Sequence, residues 1–263
     1  MLSGHPVVTV MLAVLGLVMG SAVTSLAWRL PRQLSWAGGR SICTACGAAL
    51  RPADLVPLFS FLLARGRCRH CGARIPWRYP LTELACVAWA LLLFARVGPT
   101  WAYLPLAFWG FLLVALLWID LEFHLLPDAL TFPGTLLGIA AALLLYGFPR
   151  GAHEALLGVV TGSGLLWVLA WAWLAFRKIE GMGQGDVKLA AMFGAALGWK
   201  LALLTLFLSA LAGSAWGLVL MARRRGGMKS PLPFGTLLAP AAMVMFLWGE
   251  AWLAAYLGFV VKR

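Results

Sequence analysis

Residues 101–128 read WAYLPLAFWGFLLVALLWIDLEFHLLPD. From Trp101 to Ile119 no side chain carries a charge, and Asp120 then closes the run. At about 1.5 Å per residue, a helix of this length matches the roughly 30 Å hydrocarbon core of a bilayer. Only a helix satisfies every backbone polar group inside such a segment, so the stretch predicts a membrane-spanning helix with a carboxylate at its end. The rest of the chain has the same character. Apolar residues make up 62% of its 263 residues and charged residues only 11%, with a mean hydropathy of +0.90. Soluble domains carry roughly 25% charge, so the composition excludes one.

The expected fold is an all-α polytopic membrane protein of about eight transmembrane helices. The apolar runs are 6–28, 80–97, 101–119, 129–147, 155–176, 186–198, 200–222 and 234–258, the sixth short for a full crossing. The first has no basic segment before it and no small-residue cleavage site before Arg29 and Arg32, which predicts a retained span. Lys and Arg accumulate on the cytoplasmic side of bacterial membranes. With the N-terminus outside, 16 of the 21 basic residues fall in inside loops. The net charge of +12 therefore needs no nucleic acid as partner; the bilayer accounts for it. Three regions follow: a first transmembrane helix over 1–29, a loop domain over 30–79, and a transmembrane core over 80–263. Glycines within the runs, among them Gly158, Gly162, Gly164, Gly194 and Gly198, predict close helix approach.

The loop domain carries four of the five cysteines. Cys43-Thr-Ala-Cys46 and Cys68-Arg-His-Cys71 are two C-x2-C knuckles 21 residues apart, the pattern of a four-cysteine zinc site. Gly47 and Gly72 follow the knuckles and allow tight turns around a metal. A module of some fifty residues builds little core, and structural zinc supplies the missing folding free energy. The competing reading is disulfides, against which a reducing cytoplasmic location argues. Four thiolates leave zinc no open position, so the site is not expected to be catalytic. His70 is expected to face solvent, and Cys86, inside a span, to be a small apolar residue.

Only nine residues are acidic, and Glu83, Asp120, Glu122, Asp128, Glu180 and Asp186 all fall on the expected cytoplasmic side. Ionisable groups at membrane depth are costly and mark function. Asp186 sits in Gly181-Met-Gly-Gln-Gly-Asp186-Val-Lys188, where glycines permit an irregular backbone before a helix start whose free N–H groups face a carboxylate. Two aspartates in a partly desolvated cleft can share a proton, one acting as general base on water and the other as general acid. The plainer readings are that Asp186 caps its helix and that Asp120 is interfacial. Asp128 is expected to be an N-cap, Glu122 and His124 to lie in the loop, and Lys188 to be a membrane-surface anchor. A proton-coupled transporter and a non-enzymatic membrane scaffold are the alternative functions; the first needs carboxylates near the midplane and the second leaves Asp186 unexplained.

Taken in order, these features resemble the type IV prepilin peptidases, bacterial membrane aspartic proteases of the G-x-G-D class. The resemblance rests on Gly20-Ser21 with Arg29-Leu30-Pro31, the two C-x2-C pairs, Asp54-Leu-Val-Pro57, Arg65-Gly-Arg-Cys68-Arg-His-Cys71-Gly72 and Arg78-Tyr79-Pro80-Leu-Thr-Glu83. It continues through the Asp120 phrase to Leu126-Pro127-Asp128, then Gly183-Gln-Gly185-Asp186-Val-Lys188 and Pro233-Phe234-Gly235. It implies that Asp120 and Asp186 are catalytic, framed by Gly183, Gly185 and Lys188. The implied substrates are type IV prepilins or pseudopilins of pilus assembly and protein secretion, cleaved after a glycine at the cytoplasmic face of the inner membrane. Asp54 and Glu83 become substrate-binding candidates for the basic leader. Many members also N-methylate the new amine with S-adenosylmethionine. After Gly20-Ser21 the family reads aromatic, aliphatic, asparagine, whereas this chain has Ala22-Val23-Thr24.

Overall fold

The structure is a computed structural model that describes residues 6–35, 38–178, 183–222 and 233–261. Among the described residues eight α-helices run in chain order: α1 (Pro6–Arg29), the short α2 (Phe59–Leu63), α3 (Arg78–Val97), α4 (Tyr103–Phe123), α5 (Asp128–Tyr146), α6 (Arg150–Arg177), α7 (Gln184–Ala222) and α8 (Gly235–Val261). All but α2 are long and apolar enough to cross a membrane, which makes seven among the described residues against the eight expected. The protein is a multi-pass membrane protein. Large apolar side chains on the outside of the bundle, such as Trp167, Trp171, Trp173 and Phe176 on α6, suit lipid in place of water.

The difference in count lies in α7. The expected spans 186–198 and 200–222 form one helix by hydrogen-bonding pattern, but Gly198 within it has φ 71° and ψ 173°, a non-helical conformation that glycine alone adopts readily. A β-carbon placed on Gly162 of α6 would lie 2.8 Å from the Ala190 carbonyl oxygen and 3.8 Å from Ala202 Cβ. Ala190 and Ala202 are twelve residues apart, about 18 Å along a straight helix, so both can reach one point only if the chain doubles back at Gly198. α7 is thus a hairpin of two arms, and the first arm is too short to cross a bilayer alone.

Packing divides the chain into two compact units, residues 1–98 and 99–263. In the first, α1 packs on α3 so closely that β-carbons at Gly16 and Gly20 would come within 2.6 Å of Val87 Cα and 2.5 Å of Glu83 Cα. The loop module belongs to this unit. In the second, α4 packs against α5 and α8, and α7 against α5, α6 and α8. Glycine again sets the spacing, since Gly158 meets the Gly194 backbone and Gly138 meets Ala195 and Ala196. Gly164 has open space around its α-carbon, so the packing role expected for it is absent. Trp109 of α4 donates its indole N–H to the Met192 carbonyl of α7 (3.2 Å), giving a buried polar edge a partner.

Candidate functional site

α4 buries twelve of its 21 residues and, near its end, delivers Asp120, 5% exposed, to the second unit. Glu122, expected in a loop, is still helical; the helix stops only at His124, which caps it in the left-handed conformation (φ 53°). The turn 124–127 then carries Leu126 back inward, 7% exposed, before α5 begins. The N-terminus of α8 faces Asp120. The backbone N–H of Thr236 donates to Asp120 Oδ2 (2.6 Å), and the Thr236 hydroxyl donates to the same oxygen (2.9 Å). Free N–H groups at a helix start are natural partners for a carboxylate. Gly235 makes the approach possible, since a β-carbon there would stand 3.0 Å from Asp120 Oδ2 and 2.9 Å from Leu126 Cδ1.

Asp186 lies in the first turn of α7, half-buried, with its N–H donating to the Gly183 carbonyl (3.2 Å). Gly181 and Met182 lie outside the described residues. A β-carbon on Gly185 would be 2.9 Å from Leu126 Cβ and 3.3 Å from its Cδ1. Leu126 is therefore the wedge shared by Gly185 and Gly235, and it brings the two aspartate-bearing elements together. Asp120 Oδ2 and Leu126 Cδ1 both stand against Gly235, and Leu126 also stands against Gly185, the residue before Asp186. Lys188 bonds Asp128 Oδ1 (2.6 Å) and lies over the Phe132 ring (5.8 Å), tying the start of α7 to the start of α5. Two expectations change here. Asp128 is the first helical residue after the N-cap Pro127 instead of the cap itself, and Lys188 has an acidic partner beyond any anchoring role.

In the first unit the four Sγ atoms of Cys43, Cys46, Cys68 and Cys71 lie within 4.8 Å of one another and could hold a metal ion. The two knuckles repeat one geometry. Gly47 and Gly72 adopt φ of 72° and 71°. Their N–H groups donate to the Cys43 and Cys68 carbonyls (2.8 and 2.9 Å), and the N–H groups of Cys43 and Cys68 donate to Ala48 and Ala73. A zinc ion with four Zn–S bonds of about 2.3 Å sets its sulfurs roughly 3.8 Å apart, so the donor set fits the metal. The Cys43 thiol is pulled down to about 7 by backbone N–H groups of Cys46 and Ala45. Cys71 is drawn down by the Ala73 backbone but ends pushed up to about 11, because burial and the thiols of Cys46, Cys68 and Cys43 outweigh that bond. His70 is exposed and Cys86 fully buried, as expected.

Asp54 and Glu83 make internal contacts. Asp54 accepts from the Arg51 N–H (3.0 Å) and pairs with Arg69 (3.4 Å). Glu83, 8% exposed, accepts from the N–H of Leu58 (2.8 Å), a residue held at φ 58°. Both line a cavity of about 410 Å³ with Ser21, Thr24, Trp28, Phe61 and Tyr79. Arg29, Arg40, Arg67, Arg69 and Arg74 line it too, so guanidinium groups outnumber carboxylates.

Residues 14–97 match the Bacterial Peptidase A24 N-terminal domain and residues 106–218 the Type IV leader peptidase family. A prepilin leader peptidase/N-methyltransferase of Pseudomonas aeruginosa is 34% identical over 98% of this chain and 97% of its own length. The chain belongs to the type IV leader peptidase family. Its similarity to family enzymes of the same description extends to Burkholderia pseudomallei, 37% identical over 90% of this chain and 84% of the relative. For Aeromonas hydrophila it is 40% over 83% and 74%. No solved structure matches. Leader peptidase family membership does not favour the transporter or scaffold readings.

Sequence reasoning missed Thr236 and the wedge Leu126. Phe234 and Gly235 were visible as a motif, and a hydroxyl residue directly after a glycine at a helix start was the available signal for Thr236.

Proposed function

We propose that this chain is an aspartic endopeptidase that removes the short basic leader of type IV prepilins or pseudopilins, with Asp120 and Asp186 as its catalytic pair. The observation that carries the reading is the packing of Leu126, six residues past Asp120, against both Gly235, which abuts the Asp120 carboxylate, and Gly185, which directly precedes Asp186. One aspartate takes a proton from water, whose oxygen attacks the scissile carbonyl carbon. The other gives a proton to the departing amide nitrogen as the C–N bond breaks, yielding a leader carboxylate and a free amine. Asp120, Glu122, Asp128 and Asp186 outnumber the single cation Lys188 among these segments, a negative balance that complements a basic leader, and they make the acidic rim of the site in this reading. We place this rim and the cysteine module on the cytoplasmic face of the inner membrane, with the N-terminus outside, on the strength of the basic-residue distribution.

The cysteine set is assigned to structural zinc, which holds the 30–79 module together between the first helix, 1–29, and the protease core, 80–263. For the second activity named in its relatives, N-methylation, S-adenosylmethionine supplies an electrophilic methyl group. The cavity of the first unit suits such a donor. Its guanidinium groups match a carboxylate, its aromatic side chains an adenine, and Glu83 and Asp54 the cationic half. The same lining favours a zwitterionic guest over a basic leader. Thr24, which stands where the family pattern has asparagine, lines this cavity with its hydroxyl donated to the Gly20 carbonyl (2.8 Å).

The test is cleavage of a prepilin precursor by detergent-purified protein. Asp120→Asn and Asp186→Asn are each expected to abolish cleavage while remaining folded; wild-type cleavage by either sinks the assignment. Product mass with and without S-adenosylmethionine reads methylation.

A further inference from the structure

Resting on the reading of Asp120 and Asp186 as the peptidase pair, we infer that Thr236 is a positioning residue that fixes Asp120 and reserves its Oδ2 as a permanent acceptor. Two donors of one residue converge on one oxygen, the backbone N–H at 2.6 Å and the hydroxyl at 2.9 Å. The hydroxyl can reverse its role, but the backbone N–H cannot, since it has only a proton to give. A proton on Oδ2 would therefore have to be given to the Thr236 hydroxyl oxygen, at the loss of the hydroxyl's own donation. The bonds thus favour the shared proton on Asp120 Oδ1 or on Asp186, and Oδ1 is the oxygen left to face water.

The surroundings are built for this contact. Asp120 is 5% exposed, so a carboxylate there needs fixed partners in place of solvent. A side chain at position 235 would have to displace Asp120 or Leu126, because its β-carbon would stand 3.0 Å from Oδ2 and 2.9 Å from Leu126 Cδ1. The start of α8 is thereby held against the end of α4, and a carboxylate that cannot rotate keeps a single geometry through both proton transfers.

The experiment measures kcat and KM for a prepilin precursor with the full-length detergent-purified protein. Thr236→Val keeps the shape and the backbone bond and removes the hydroxyl donor. Loss of one hydrogen bond to a charged group is expected to lower kcat roughly 10- to 100-fold, with KM held within about twofold. Thr236→Ser restores the donor and is expected to return kcat to within about threefold of wild type. This rescue separates hydrogen bonding from packing. Thr236→Ala, which adds no crowding, replaces the valine variant should that one fail to fold. Wild-type kcat in the valine or alanine variant, a serine variant as slow as valine, or a change confined to KM would each overturn the inference. Asp120→Asn and Asp186→Asn run alongside. Activity in either defeats the pair itself, whereas two inactive controls beside a fully active Thr236→Val defeat only the role of Thr236.

Discussion

Gly185→Ala adds one methyl group at a crowded point of the proposed active site, and its two effects on stability oppose each other. The new β-carbon would sit 2.9 Å from Leu126 Cβ, 3.4 Å from Cγ and 3.3 Å from Cδ1. Leu126 cannot retreat, because its Cδ1 already meets Gly235 and the side chain is buried. Overpacking of this kind costs about 1–3 kcal/mol. Position 185 is in the first turn of α7, where alanine regains up to about 1 kcal/mol of helix propensity over glycine. The net change in stability is then roughly 0–3 kcal/mol destabilising. Catalysis has no such offset. Asp186 follows directly in the chain, and a displacement near 1 Å costs on the order of a hundredfold in rate. Cleavage of a prepilin precursor, read by mass shift beside thermal unfolding in detergent, should show a loss of roughly two decades in kcat in protein that is still folded at the assay temperature. Relief at position 126 adds a second check. Leu126→Ala removes the Cγ and Cδ1 contacts but keeps the closest one, at Cβ, so it restores the double variant only partly. Leu126→Gly removes all three and restores it further. Wild-type cleavage by Gly185→Ala, or equal rescue by the two Leu126 variants, would refute the wedge.

Other perturbations test separate parts of the molecule. Gly198→Ala forces an L-residue to φ 71° and sets a β-carbon 3.0 Å from Glu154 Oε2, so unfolding in detergent should show a loss of about 1–3 kcal/mol; an unchanged transition would contradict the hairpin turn. Lys188→Met and Asp128→Asn each remove a partly exposed ion pair worth about 0–1 kcal/mol, so each should slow cleavage less than tenfold, with the double variant no slower than either. Additive losses would show that the two act independently. Cys43→Ser and Cys68→Ser should each reduce bound zinc, measured by metal analysis of the purified protein, and expose the 30–79 module to protease; unchanged metal content would remove the tetrad from zinc binding.

Much of this molecule was legible in the linear chain because the bilayer imposes simple rules. A helix must be about as long as the hydrocarbon is thick, so α1, α3, α4, α5, α6 and α8 appear as apolar runs with ends close to those observed. The cysteine knuckles are local, each closed by a glycine turn within five residues, and their spacing alone carried the metal reading. Asp120 and Asp186 stood out because charge is scarce in such a chain. The tertiary structure decided the rest. Gly198 has no special signature among many glycines, and only the approach of Ala190 and Ala202 to Gly162 reveals that the chain doubles back there. Thr236 lies 116 residues from Asp120, and nothing in either local pattern couples them. Asp54 and Glu83 are marked in the chain by their charge, but only the fold shows their bonds to Arg51, Arg69 and Leu58 and the cavity they share. Periodicity and composition report what each segment needs from its solvent. Which side chain answers a buried carboxylate depends on long-range packing, and that is set only when the helices have met.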